Sequence, residues 1–77
     1  MSVKIHSVEP LSHAFNCGIK EGETLVSINK NEIIDVLDYR FYQFSRELEL
    51  VVLDVNGKER VINLKKPEYD ELGLLFD

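Results

Sequence analysis

Seventy-seven residues, 44% apolar and 30% charged, describe a single soluble globular domain and exclude a second one. A chain this short builds only a thin core, which leaves little stability for a deep catalytic cavity. Fourteen acids against nine bases give a net charge of -5, which excludes the clustered Lys and Arg of a nucleic-acid surface.

The lone cysteine, Cys17, rules out an internal disulfide framework and fits a reducing compartment, so a cytoplasmic location is expected. The longest unbroken apolar run is Leu50-Val51-Val52-Leu53, far short of the ~18 residues of a membrane span. Residues 1–9 contain no apolar signal segment. The sequence stops just after the apolar cluster 72–76, so a fragment of a longer protein is expected.

In chain order, residues 2–8 alternate Val3, Ile5 and Ser7 against Lys4, His6 and Val8, the period of a half-buried strand. Ser12 is placed to N-cap a short helix carrying Ala14 and Phe15, with Gly18 at its left-handed end. Residues 24–28 form a second strand, followed by a turn at Asn29-Lys30-Asn31 and a brief extended return over 32–34. Asp35 N-caps a second helix over 35–45. Its stripe Leu37, Phe41 and Phe44 falls at i, i+4 and i+7 and is expected to face the core, with Val36, Tyr39, Arg40 and Gln43 on the neighbouring face. A rotation by one position would exchange Tyr39 and Arg40 with Leu37 and Phe41. The runs 47–55 and 58–65 flank Asn56-Gly57 and form a β-hairpin. Pro67 interrupts, 68–71 is acidic, and 72–76 supplies a last short strand.

No catalytic constellation is present. His6 and His13 have no His or Cys partner at a metal-ligand spacing. Ser12 and His13 are adjacent, and neighbours at a helix start point apart, so Ser12 is an N-cap rather than a nucleophile. Glu21 and Glu23 flank Gly22 in what reads as a solvated turn, and no Gly-rich phosphate loop occurs. The fragment is expected not to be an enzyme and to hold no cofactor.

One arrangement is specific. Val8, Pro10, Ser12, Ala14, Gly18, Ile19, Gly22, Glu23, Leu25, Ile28, Asn29 and Ile33 stand at the spacing of the central segment of PDZ domains, which this chain resembles. The departures are His13 and Phe15 beside the Ala, Glu23 for the commoner Asp, and Lys30-Asn31 where Asn-Gly is usual. The helix and strand pair that follow extend the resemblance over almost the whole chain. The carboxylate-binding loop is missing from residues 1–4, whereas Leu72-Gly73-Leu74-Leu75 offers one at the other end. That looks like the circularly permuted order common in bacterial PDZ domains.

The resemblance implies a small α+β fold over residues 1–77, a partly open barrel or sandwich of about five short strands and two helices. A monomer is expected. The implied peptide site would use backbone N–H groups around Gly73, the edge Leu74, Leu75 and Phe76 after Leu72, and a wall of Val36, Tyr39, Arg40 and Gln43. A peptide or protein C-terminus would add there as an extra strand. No His stands at the helix start, so an apolar terminal residue is expected rather than a Ser/Thr preference. A plain edge strand closing the core is the alternative for 72–76.

More narrowly, Asp35-Val36-Leu37-Asp38-Tyr39-Arg40-Phe41 with Leu72-Gly73-Leu74 resembles the N-terminal PDZ-like domain of a clostridial family of iron-sulphur proteins related to radical-SAM enzymes. With one cysteine this fragment holds no cluster, which would belong to the longer protein. Two roles follow as expectations: a peptide-recognition module, or a docking domain that orients its own downstream region without a free-peptide ligand. Neither involves nucleic acid or membrane.

Overall fold

The computed structural model describes residues 2–76, and in it the first extended segment is divided. β1 (Val3–Lys4) and β2 (Ser7–Val8) belong to different sheets, where one strand was expected. Ile5 between them is fully buried; its N–H donates to the Glu23 carbonyl and its carbonyl accepts from Gly22. Those two bonds take the place of strand pairing and let the backbone pass from one sheet to the other.

α1 (His13–Asn16) is one turn, N-capped as the sequence suggests: the extended Ser12 accepts at Oγ from the Phe15 N–H at 3.1 Å. β3 (Thr24–Ile28) returns into β4 (Asn31–Glu32) through Asn29-Lys30, whose φ values of 50° and 66° make the mirror-image turn that suits a hairpin's twist. The Asn29 side chain lengthens the ladder. Its Oδ1 accepts from Glu49 N–H at 2.8 Å and its Nδ2 donates to the Glu47 carbonyl at 3.1 Å, continuing the pairing of β3 past its last residue.

α2 (Val36–Tyr42) starts at a reciprocal cap. Asp35 Oδ1 accepts from the N–H groups of Leu37 and Asp38, while Asp38 Oδ2 accepts from those of Asp35 and Ile34. The face it buries is not the expected stripe. Leu37 and Phe41 are 71% and 75% exposed, Phe44 is 38% exposed, and the inward side chains are Tyr39 and Gln43. The reason is hydrogen bonding: Tyr39 and Gln43 satisfy the backbone donors of Leu74 and Leu72 at and just before the last strand, which no apolar side chain does.

β5 (Glu47–Leu53) and β6 (Glu59–Lys65) form the longest pairing, in continuous register from Glu47↔Lys65 to Leu53↔Glu59. The hairpin closes at Asp54 and Lys58, one residue earlier than the Asn56-Gly57 dipeptide alone suggests. Gly57 N–H donates to the Asp54 carbonyl and Gly57 takes φ 82°, giving a three-residue loop. β7 (Leu74–Leu75) pairs with β2 through Ser7↔Leu75 and Val8↔Leu74.

The result is α+β, with two helices and antiparallel sheets: β1-β3-β5-β6 with β4 on β3, and β2-β7. Among the described residues seven strands replace the expected five or so, because the first segment divides and the short return after Lys30 pairs. Ile5, Leu25, Ile28, Ile33, Leu48, Leu50, Val52 and Leu72 fill the core between them. Glu23 is only 4% exposed and not the solvated turn residue expected. Arg60 on β6 donates to both its carboxylate oxygens at 3.0 Å and to the Gly18 carbonyl at 3.1 Å, and Lys20 N–H supplies a further donor at 2.9 Å.

Replacing Arg60→Met strands a buried carboxylate and is expected to lower stability by about 3 to 5 kcal/mol in urea unfolding, with Glu23→Gln restoring part of the loss. Lys30→Gly, which relieves a left-handed lysine, is expected to raise the unfolding free energy by about 0.5 to 1 kcal/mol in the same measurement.

Candidate functional site between α2 and β7

The residues singled out on the second helix and near the end of the sequence come together. Val36, Tyr39, Arg40 and Gln43 of α2 face Leu74, Leu75 and Phe76 across a small groove of about 150 Å³, with Glu71 at its end. Leu72, fully buried, and Gly73, also buried, lie behind it rather than in it.

Its polar chemistry is already committed. The Leu72 N–H donates to Gln43 Oε1 at 2.9 Å and the Leu74 N–H donates to the Tyr39 hydroxyl at 3.1 Å, both bonds buried. These are two of the amides around Gly73 to which the PDZ resemblance assigns a ligand carboxylate. Phe76 packs edge-on against Tyr39, ring centroids 4.9 Å apart at 67°. Burial pushes the Tyr39 hydroxyl up to about 12, with the backbone N–H groups of Leu74 and Gly73 opposing and the charges of Glu71 and Glu9 adding to the rise.

Gly73 has a steric role. Its φ of 102° is left-handed, and a Cβ built there runs into Cβ and Oγ of Ser12, the N-cap of α1. Its carbonyl accepts from Glu9 N–H, and the preceding Leu72 carbonyl accepts from Ala14 N–H, each at 2.9 Å. The strand is thus fastened to α1, α2 and β2 at once.

Lys66 was not singled out from the sequence. Only 6% exposed, its ammonium donates to the carbonyls of Pro67, Glu68 and Asp70 at 3.3, 3.2 and 2.6 Å and lies 5.8 Å from the Phe44 ring centre. Desolvation pulls it below the usual lysine range, against the pull of the Asp70 and Glu68 charges. Nothing in a Lys-Pro-Glu-Tyr-Asp run marks carbonyls, rather than carboxylates, as the partners. The ammonium organises the loop before β7 and has no donor left over for a ligand. The same loop is tied to α1 where His13 Nε2 meets Asp70 Oδ2 at 3.1 Å.

Larger hollows lie elsewhere on the surface. A hollow of about 500 Å³ between β5, β6 and Asn29 shares no residue with the groove and is a solvated sheet face with Glu47, Glu49 and Lys65. Burial raises the Cys17 thiol, whose Sγ donates to the Ala14 carbonyl, so it is no activated nucleophile. Among the described residues no group of three His, Cys, Asp or Glu side chains is arranged for a metal ion, and no helix is long and apolar enough to cross a membrane.

Comparison with known proteins yields no matching family model and no matching curated protein.

The Tyr39 hydroxyl has an ordinary value of 10 unfolded and about 12 folded. Its neutral form therefore contributes stability that is complete below pH 10 and lost as the pH rises through 12, on the order of 2 to 3 kcal/mol. The stability gap between the native chain and Tyr39→Phe, measured by urea unfolding, is expected to narrow over that interval. Gly73→Ala is expected to cost about 2 to 5 kcal/mol, from the backbone strain and the collision with Ser12.

Proposed function

We propose that this is a non-catalytic docking domain of PDZ-like, circularly permuted architecture, which orients an attached protein region instead of capturing free peptide carboxyl termini. The observation that carries the reading is the internal use of the Leu72 and Leu74 amides by Gln43 and Tyr39. A carboxylate entering there must displace two buried hydrogen bonds and separate Tyr39 from Phe76, and the Lys66 ammonium is held away by three carbonyls.

The permuted order is supported by the position of β7, last in the chain yet beside α2 and paired with β2. The docking role is supported by the outward side of α2 and the residue before it, where Leu37, Phe41 and Ile34 are more than half exposed. The attached region is a cluster-binding, radical-SAM-related enzyme if the sequence likeness of 35–41 and 72–74 holds; the cluster ligands then come from outside this chain, which has one cysteine.

An amide-shift NMR titration with peptides ending in apolar residues, run as free acids and as amides, tests this. The two sets are expected to act alike on the native chain. Perturbation of the Gly73, Leu74 and Leu75 amides by free acids alone would make the domain a peptide receptor and overturn the docking reading. Leu37→Ser and Phe41→Ser are expected to change stability by less than about 0.5 kcal/mol, as exposed positions do.

A further inference from the structure

β6 (Glu59–Lys65) is the outermost strand of the larger sheet. It pairs with β5 along its whole length, and no strand among the described residues pairs with its other side. A seven-residue edge of this kind is a template for another strand. It contains no Pro or Gly, and its register with β5 has no bulge, so two of the usual protections are missing.

The direction of its free groups is fixed by the ladder. Lys66 N–H donates to the Arg46 carbonyl and Asp54 N–H to the Lys58 carbonyl, so the even-numbered residues of β6 bond to β5. The backbone groups of Glu59, Val61, Asn63 and Lys65 point away from the sheet.

We propose that two copies of this chain associate by antiparallel pairing of their β6 edges about a two-fold axis at Ile62, in place of the monomer expected from sequence. In this register Glu59 lies opposite Lys65 of the second copy and Val61 opposite its Asn63, each pair occurring twice. All four are the outward-directed residues, so each opposed pair exchanges two backbone hydrogen bonds without disturbing β5. The charges select the register. Each Lys65 lies between Glu47 of its own β5 and Glu59 of the second copy, whereas a slip centred on Val61 or Asn63 separates Glu59 from Lys65. On the opposite face Ile62 meets its counterpart. Ile62 and Leu64 are only partly buried in the single chain, and Val61 is 53% exposed, so the pairing covers apolar surface that folding leaves open. The contact is a strand edge and each copy carries -5, so the dimer is weak.

Sedimentation velocity from about 10 µM to about 1 mM reads this directly. The mean mass is expected to climb from 8.9 kDa toward twice that value. Glu59→Lys and Lys65→Glu each place like charges opposite one another and are expected to weaken association about tenfold, and the doubly swapped chain is expected to regain it. Val61→Pro removes an outward donor while sparing the bonds to β5. It is expected to remain folded by circular dichroism and to stay monomeric. A mass fixed at 8.9 kDa up to about 1 mM, or association that the double swap fails to restore, overturns the proposal.

Discussion

The architecture depends on how one short piece of backbone is held. The peptide groups of residues 72–74 have partners on three elements: Leu72 and Leu74 donate to side chains of α2, the Leu72 carbonyl accepts from α1, and the Gly73 carbonyl accepts from the residue after β2. Each bond is worth about 1 kcal/mol net, but each buried group left unpaired would cost about 1 to 3 kcal/mol. The requirement to satisfy them dictates which face of α2 turns inward. Two aromatic and aliphatic side chains, Phe41 and Leu37, are left in water as a result.

The same logic governs charge. A thin core has little apolar burial to spare, and the two ionic groups taken inside, Glu23 and Lys66, are saturated with partners. Glu23 receives a two-pronged Arg60 and a backbone N–H, while Lys66 is ringed by carbonyls. Both join segments distant in sequence or without regular structure: Glu23 ties the turn before β3 to the hairpin, and Lys66 shapes the loop that delivers β7. No buried side-chain nitrogen or oxygen is without a hydrogen-bond partner among the described residues. In a domain with little core, polar bonding in the loops takes up part of the role that packing has in larger ones.

Much of the fold was legible in the chain because its signals are local. Ser12 and Asp35 cap the helices as their side chains suggest, and the β5–β6 hairpin follows from β-branched runs around Asn56-Gly57. Of the residues that the PDZ resemblance assigned to a peptide site, Val36, Tyr39, Arg40, Gln43, Leu74, Leu75 and Phe76 line one groove, while Leu72 and Gly73 lie behind it. What local pattern does not carry is which amphipathic face wins. A helix bearing Leu37, Phe41 and Phe44 on one side and Tyr39 and Gln43 on the other is ambiguous by hydrophobicity. The answer lies in unpaired donors about thirty residues away. The burial of Glu23 was hidden for the same reason, as Arg60 stands in a different strand. The break at Ile5 has no sequence marker at all, being imposed by the 22–23 turn.

Gly73 and Ser12 draw the arrangement to its narrowest point. The volume that a side chain at 73 needs is the volume in which the Ser12 side chain stands, and Ser12 is itself fixed by capping α1. The two positions therefore share one allotment of space, and neither can exchange alone. Reducing Ser12 to glycine would clear room at 73 yet remove the capping oxygen, and the left-handed backbone would still disfavour a side chain there. A drifting sequence meets two independent barriers at this site. The pair is expected to vary least where the rest of the surface is free to change.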